Sequence, residues 1–120
     1  MSHKMVIVMR KDLNMRKGKM CAQAGHAVLG AYRTAIAHGH LDDIMMWERD
    51  SASTKICVSV DSEEELFEIA EKGALADIEY YLVKDAGLTE FGGVPTFTCL
   101  AFEPVPEDRI NPVTGGLKLL

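Results

Sequence analysis

A long amphipathic segment between two short β-branched runs constrains the fold of this chain most. The runs KMVIVMR (Lys4–Arg10) and KICVSV (Lys55–Val60) are typical of buried strands. The segment that starts at Lys17 has apolar residues at helical spacing. It is expected to end near His38–His40, where Gly39 supplies a C-cap. Because a helix between two strands of one sheet is a crossover, the strands are expected to pair in parallel with a right-handed connection.

The rest of the chain continues the alternation of helix and strand. Ser62 can cap a third helix, three acids follow it in the first turn, and Gly73 is expected to end that helix. Periodicity and turn residues predict helices over Asp42–Asp50 and Ser62–Lys72, and strands over Ile78–Val83 and Thr96–Phe102.

A glycine-rich segment without periodicity, KDAGLTEFGGVP (Lys84–Pro95), joins the last two strands. A direct loop favours antiparallel pairing, and a loop of this length in a small domain is more often functional than not. The tail from Pro104 to Leu120 is expected to be mostly irregular, with turns at Asn111-Pro112 and Gly115-Gly116 and with Leu117–Leu120 returning to the body. The whole pattern predicts one α/β domain over residues 1–120, in which helices cover both faces of a mixed sheet.

Composition places the chain among ordinary globular proteins. It is 48% hydrophobic and 26% charged, and it has no apolar run near the roughly 18 residues that a membrane span needs. The run MVIVM is too short for the core of a signal peptide. The cysteines Cys21, Cys57 and Cys99 are odd in number, widely spaced and set in apolar surroundings. They predict buried free thiols in a reducing compartment, the cytoplasm.

Charge is distributed unevenly along the chain. The formal net charge is −5, yet residues 1–40 hold seven basic side chains and one acid, a net of +6, whereas residues 41–120 carry a net of −11. An electropositive patch on an acidic body can still bind a polyanion, because the ligand responds to the local field. The alternative is that the asymmetry has no function.

Polar side chains gather on one stripe of the predicted first helix. At 100° per residue, that stripe contains Lys19, Gln23, His26, Gly30 and Arg33. A second stripe suits the core and contains Met20, Ala24, Ala27, Val28, Ala31 and Ala35. The polar stripe is either a solvated face or a binding site in which Gly30 lets a ligand approach closely.

Several common site motifs are absent from the sequence. RKGKMCAQ lacks the second glycine and the Ser or Thr of a phosphate-binding loop. The four histidines have no metal-ligand spacing with a cysteine pair, and no Gly-x-Ser-x-Gly elbow occurs. The sequence therefore predicts no metal site.

Six motifs nevertheless occur in one order along the chain. They are KMVIVMRKDL, M-x-K-G-K-x-x-A-Q-x-x-H-A (Met15–Ala27), VDSEEEL (Val60–Leu66), D-A-G-x-T (Asp85–Thr89), T-x-T-C (Thr96–Cys99) and TGGLKLL (Thr114–Leu120). Each motif is weak alone. Together they closely resemble the type-2 peptidyl-tRNA hydrolase family, over essentially the full length.

The resemblance implies a three-layer α/β/α fold around a mixed four-stranded sheet. It also implies cleavage, without metal or organic cofactor, of the ester that joins a peptide or an N-blocked amino acid to tRNA. The implied partner is tRNA, no membrane is involved, and a homodimer is left open. The family's functional positions correspond here to Lys19, Gln23, His26, Asp85 and Thr89.

Further residues are candidates for contacting the substrate. Thr96 and Thr98 match a threonine-bearing strand of the family, and the charge pattern adds Arg16, Lys17 and Arg33. The family usually has a glycine where Arg16 stands, and its loop D-A-G-[RK]-T-Q has a basic residue and a glutamine where this chain has Leu88 and Glu90. The loop after Glu90 is also about one residue longer than in the family. Leu88 removes a cation and Glu90 adds an anion, and these two changes are expected to affect the affinity for tRNA.

Ester hydrolysis needs an activated water and a stabilised oxyanion. Asp85 can orient or deprotonate the water, or it can simply form a turn. Lys19 can stabilise negative charge, Gln23 can donate to the carbonyl or hold the water, and Thr89 can bond to Asp85 or the water. His26 is either catalytic or structural. We expect the polar stripe to border a cleft that contains Asp85 and Thr89.

Two functions are left open by the sequence. One is a peptidyl-tRNA hydrolase, and the other is a non-catalytic module that binds RNA ends or a protein partner. The joint presence of Lys19, Gln23, Asp85 and Thr89 favours the enzyme, because a carboxylate in a binding-only site would merely repel a polyanion.

Overall fold

The structure is a computed structural model that describes residues 2–88 and 90–120. Nine elements follow one another along these described residues: β1 (His3–Arg10), α1 (Lys17–Ala37), α2 (Leu41–Asp50), β2 (Lys55–Val60), α3 (Glu63–Leu75), β3 (Tyr80–Asp85), β4 (Thr96–Phe102), β5 (Val105–Pro106) and α4 (Glu107–Thr114). Among these described residues no helix is long and apolar enough to cross a membrane.

The sheet is mixed, as the sequence predicts. Its strand order is β2-β1-β4-β3, with the short β5 pairing beside the start of β1. β1 and β2 are parallel, because α1 and α2 carry the chain back between them, and β4 is antiparallel to both β1 and β3. The predicted mixed four-stranded sheet is thus confirmed, with β5 as a short addition.

Helices cover both faces of the sheet and give the three layers that were predicted. One face packs against α3 and α4, with Leu66 and Ile110 in its core. The other packs against α1 and α2, with Ala27, Ala31 and Trp47 in its core. β1 is buried almost throughout, since alternate side chains point into the two cores.

The buried face of α1 is wider than the predicted apolar stripe. It includes Gln23 and Gly30, which lie at the edge of the polar stripe nearest the apolar one. Gly30 is needed there because a Cβ would lie 2.2 Å from Cδ2 of Tyr81 on β3. Of the two interpretations of the polar stripe, the solvated face therefore fails at Gln23 and Gly30. His26 and Arg33 of that stripe are exposed.

Two expectations about local structure are corrected, and a third is confirmed. Gly73 does not end α3, which continues to Leu75, because Gly73 faces Phe102 and a Cβ would lie 2.1 Å from that ring. The third strand starts at Tyr80, not Ile78, and reaches Asp85. The fourth strand has the predicted bounds.

The tail is not mostly irregular. It forms β5 and α4, and α4 contains Pro112, which was expected to sit in a turn. Ile110 and Val113 are buried and anchor the helix despite the proline. The return of the last residues is confirmed, since Ser59 N donates to Lys118 O at 2.8 Å.

The thiols differ from the prediction of three buried cysteines. Cys21 is exposed on the outer side of α1, Cys57 is half-buried and Cys99 is buried. Burial raises the pKa of Cys57, and it raises the pKa of Cys99 to about 12. Both thiols therefore stay protonated at neutral pH and are poor nucleophiles.

Candidate active site

The C-terminal end of β3 meets the first turn of α1. There Lys19 Nζ donates a hydrogen bond of 2.8 Å to Asp85 Oδ1, and each side chain is 14% exposed. The fold brings these two residues together because α1 packs over β4 and β3. The expected juxtaposition of Lys19 and Asp85 is therefore present in the structure.

Asp85 both forms the turn and faces the site. Its Oδ2 accepts 2.8 Å from the N–H of Gly87, while Oδ1 also accepts 3.3 Å from Gln23 Nε2. Gly87 has a φ of +82°, and a Cβ there would lie 2.2 Å from the Val94 carbonyl oxygen, so the turn requires glycine. The two interpretations of Asp85, turn residue and site residue, hold at the same time.

The contacts of Asp85 favour its ionised form. The hydrogen bond from Lys19 lowers the pKa of Asp85 below its ordinary value of 3.8, and the bonds from Gly87 and Gln23 lower it further. Burial opposes this effect without overcoming it. Asp85 is thus a carboxylate at neutral pH, and its low pKa makes it a weak resting base.

Gln23 is buried, with 3% of its surface exposed. Its Oε1 accepts a 2.6 Å hydrogen bond from the hydroxyl of Thr98, which is fully buried on β4. This bond directs Nε2 of the same amide towards Asp85. Thr98 therefore acts on the site through Gln23, and its burial excludes the direct substrate contact that the sequence suggested.

A cleft of about 650 Å³ runs from the Asp85 carboxylate along the boundary between α1 and β3. Its volume lies within the usual range of ligand sites. Gln23 and Asp85 lie at one end of it, and Arg33 and Ala37 extend the lining along α1. The remaining residues along it are His26, Leu29, Gly30, Thr34, Tyr81, Val83, Lys84 and Ala86.

The N-terminus of α1 lies beside the pair formed by Lys19 and Asp85. Arg16 and Lys17 are exposed there, and Glu90 approaches from the loop. The Arg16 N–H donates 3.4 Å to Glu90 Oε2, and Arg16 Nε lies 3.8 Å from Oε1 of that carboxylate. Glu90 thus partly neutralises a basic helix terminus.

The other residues that the sequence singled out near Asp85 are Thr96, Thr89 and Leu88. Thr96 pairs across the strands with Asp85, but its hydroxyl donates 2.8 Å to the Val94 carbonyl and so serves the loop backbone. Thr89 lies outside the described residues. Leu88 is 86% exposed beside the site.

Sequence reasoning missed Phe91 and Tyr81. The Phe91 ring lies 5.7 Å from Lys19 Nζ, a cation–π contact that depends on the path of the loop. Tyr81 lies against Gly30 and lines the cleft, and the helical stripe that contains Gly30 was the only signal for it. Within the described part of the chain, no three His, Cys, Asp or Glu side chains are grouped to hold a metal ion.

Comparisons with known proteins show which family the chain resembles. Residues 3–120 match the family model described as peptidyl-tRNA hydrolase PTH2. The chain is 44% identical to a peptidyl-tRNA hydrolase of Methanothermobacter thermautotrophicus over 117 residues, which are 98% of this chain and 99% of that protein. A peptidyl-tRNA hydrolase of Methanopyrus kandleri is 40% identical over 98% of both chains. A probable peptidyl-tRNA hydrolase 2 of Drosophila melanogaster is 40% identical over 98% of this chain and 61% of its own length.

Proposed function

The chain belongs to the peptidyl-tRNA hydrolase PTH2 family, and we propose that Lys19 and Asp85 carry its chemistry. The enzyme hydrolyses the ester between tRNA and a peptide or N-blocked amino acid, and so releases free tRNA from prematurely dissociated peptidyl-tRNA. The comparisons give no support to the alternative, a non-catalytic module that binds RNA ends or a protein.

One observation carries the assignment of the site. A buried chain of hydrogen bonds runs from Thr98 through Gln23 to Asp85, and Asp85 is paired with Lys19 at the mouth of the cleft. A purely structural ion pair would not need a fixed amide beside it. Water attack on a carbonyl does need a fixed acceptor, a fixed donor and a nearby positive charge.

Asp85 is the acceptor for the attacking water. A carboxylate has about four acceptor positions, and Lys19, Gln23 and Gly87 use three of them. The remaining position on Oδ2 accepts from the water. As the water oxygen bonds to the ester carbon, its proton passes to Asp85, and the departing ribose oxygen takes that proton when the ester bond breaks.

Lys19 and Gln23 stabilise the charge that develops on the carbonyl oxygen. The ammonium of Lys19 is fixed by Asp85 and by the Phe91 ring, so it needs little reorganisation during the reaction. The Gln23 amide is fixed by Thr98. His26, exposed in the cleft, contacts the substrate, and Thr89 assists Asp85 or the water.

The tRNA approaches over the N-terminus of α1. Arg16 and Lys17 are exposed there, and the first turn KGKM has no acidic residue. A helix N-terminus with basic side chains favours phosphate. Arg33, exposed further along α1, contacts another part of the substrate. We place the enzyme in the cytoplasm, where translation supplies its substrate, and a homodimer stays a prediction that light scattering of the purified protein tests.

Release of free tRNA from N-acetylaminoacyl-tRNA by the purified protein tests the activity. We expect multiple turnovers in the presence of a metal chelator. Lys19→Met, which keeps the length of the side chain and removes its charge, should abolish turnover while the fold is retained. Turnover by Lys19→Met at the wild-type rate would refute the assigned site.

A further inference from the structure

β3 is an edge strand of the sheet. In the order β2-β1-β4-β3 it pairs only with β4 among the described residues. Glu79 O accepts from Glu103 N at 2.9 Å, which directs the backbone groups of Glu79 and Tyr81 towards β4. By alternation, the N–H and C=O groups of Tyr80 and Leu82 point away from the sheet. They are available to a further strand.

The cleft borders this open edge. Tyr81 and Val83 supply its wall on the β3 side, and Leu29 supplies apolar surface on the α1 side. Leu29 is 50% exposed and Tyr81 is 43% exposed. Apolar surface beside unpaired backbone groups suits an extended peptide, because backbone bonds hold its main chain while pockets take alternate side chains.

The ester joins a tRNA to a peptide arm, and the candidate site has two surfaces, the N-terminus of α1 and the cleft. The basic N-terminus of α1 suits the phosphates of tRNA, whereas the cleft combines polar side chains, Arg33 among them, with an aromatic and apolar wall and an open strand edge. Gln23 and Asp85 line the cleft itself, so a ligand there is continuous with the reacting ester. The peptide arm therefore belongs in the cleft.

The polarity of the bound peptide follows from the position of Asp85. The ester is on the C-terminal carbonyl of the peptide, and Asp85 ends β3. Building on the function proposed above, we propose that the peptide arm of the substrate pairs with the outer edge of β3, running parallel to it with its C-terminal residue at Asp85. Six residues of strand span roughly 20 Å, so about six residues of an extended peptide fit along this edge.

A series of substrates on one tRNA tests this proposal. The acyl group is lengthened from an N-acetylated single residue to di-, tetra- and hexapeptides, and kcat/KM is measured for each. We expect kcat/KM to rise about tenfold across this series, which is the scale of one or two net hydrogen bonds. N-methylation of the peptide amides that face β3 should remove the gain.

A variant of the cleft wall gives an independent readout. Leu29→Asp should reduce the gain of the tetrapeptidyl substrate while leaving cleavage of the N-acetylated single residue close to wild type. Met45→Asp on α2 is the matched control, since Met45 is 48% exposed and does not line the cleft. Circular dichroism and thermal unfolding establish that both variants are folded.

The outcomes separate this proposal from the assignment of the activity. If the N-acetylated substrate is cleaved but kcat/KM does not depend on peptide length, the peptide site is refuted and the hydrolase remains. If Leu29→Asp raises KM equally for every substrate, tRNA occupies the cleft, and the proposal is overturned. If no acylated tRNA is cleaved, the proposed function itself fails.

Discussion

Thr98 and Gln23 are both buried, and the Thr98 hydroxyl donates a 2.6 Å hydrogen bond to Gln23 Oε1. Because an amide has one acceptor end and one donor end, this bond fixes the Gln23 NH₂ group towards Asp85. A fully buried threonine thus determines the direction of an amide in the candidate site.

Replacing Thr98 with valine should impair catalysis without impairing binding. The change preserves shape but leaves Gln23 Oε1 buried without its donor, which costs about 1–3 kcal/mol of folding stability. We expect kcat to fall about tenfold, while Kd for tRNA is unchanged. Thr98→Ser, which keeps the hydroxyl, should restore most of kcat. An equal loss of kcat in Thr98→Val and Thr98→Ser would show that Thr98 contributes only to packing.

The lowered pKa of Asp85 predicts how stability depends on pH. The pKa of Asp85 is lower in the folded chain than its ordinary value of 3.8. The ionised carboxylate therefore stabilises the fold above about pH 4, and this contribution is lost as the pH falls through the lower, folded value. The difference in unfolding free energy between wild type and Asp85→Asn should be constant near neutral pH and shrink in strong acid. A difference that shrinks already at about pH 6 would contradict the lowered pKa.

Binding of tRNA should depend on salt despite the negative net charge. The basic residues concentrate in the first 40 residues of the chain, where the net charge is +6. Each phosphate contact should add a slope of about −0.9 for duplex or −0.7 for single strands to a plot of log K against log salt. Titration of tRNA at several salt concentrations measures the slope, and a slope of zero would exclude a phosphate-dominated interface.

Glu90 is expected to weaken tRNA binding, because its carboxylate lies at the basic N-terminus of α1. Glu90→Gln removes the charge and keeps an acceptor for the Arg16 N–H. We expect Kd for tRNA to decrease about two- to fivefold at low salt, the scale of one exposed charge contact, with kcat unchanged. Glu107→Gln on α4, at an exposed position on the opposite face of the sheet, is the control. Equal effects in the two variants would reflect net charge alone.

The fold was largely predictable because its dominant signals are local. β-branched runs and a long amphipathic helix are sufficient to predict the parallel pairing of β1 and β2. Predictions of local structure were wrong where tertiary packing outweighed the local sequence signal. Gly73 was expected to end a helix but instead makes room for Phe102, and Pro112 was expected in a turn but lies in a helix anchored by buried neighbours.

The site was predictable in part. Helical spacing brought Lys19 and Gln23 onto one face, and the motifs added Asp85, but the burial of Gln23 could not be foreseen. That burial depends on how closely α1 packs on the sheet, and Gly30 permits a close approach to Tyr81 on β3. The position of Phe91 depends on an irregular loop, for which a periodic pattern gives no signal.

The central claim is that Asp85 acts on the water and not merely on the turn. Asp85→Asn preserves shape and most hydrogen-bonding capacity while removing the negative charge and basicity of the carboxylate. Lys19→Ala removes a charge that serves both the substrate phosphates and the transition state, so it should reduce kcat and also weaken tRNA binding.

The decisive measurement is kcat for ester hydrolysis and Kd for tRNA, determined for wild type and Asp85→Asn at one fixed salt concentration. We expect kcat of Asp85→Asn to fall by roughly 10²–10⁴, the usual contribution of a positioned base, while tRNA binding holds or tightens because a negative charge leaves the site. A kcat near the wild-type value in a folded Asp85→Asn protein would contradict the account and leave Asp85 as a loop-shaping residue.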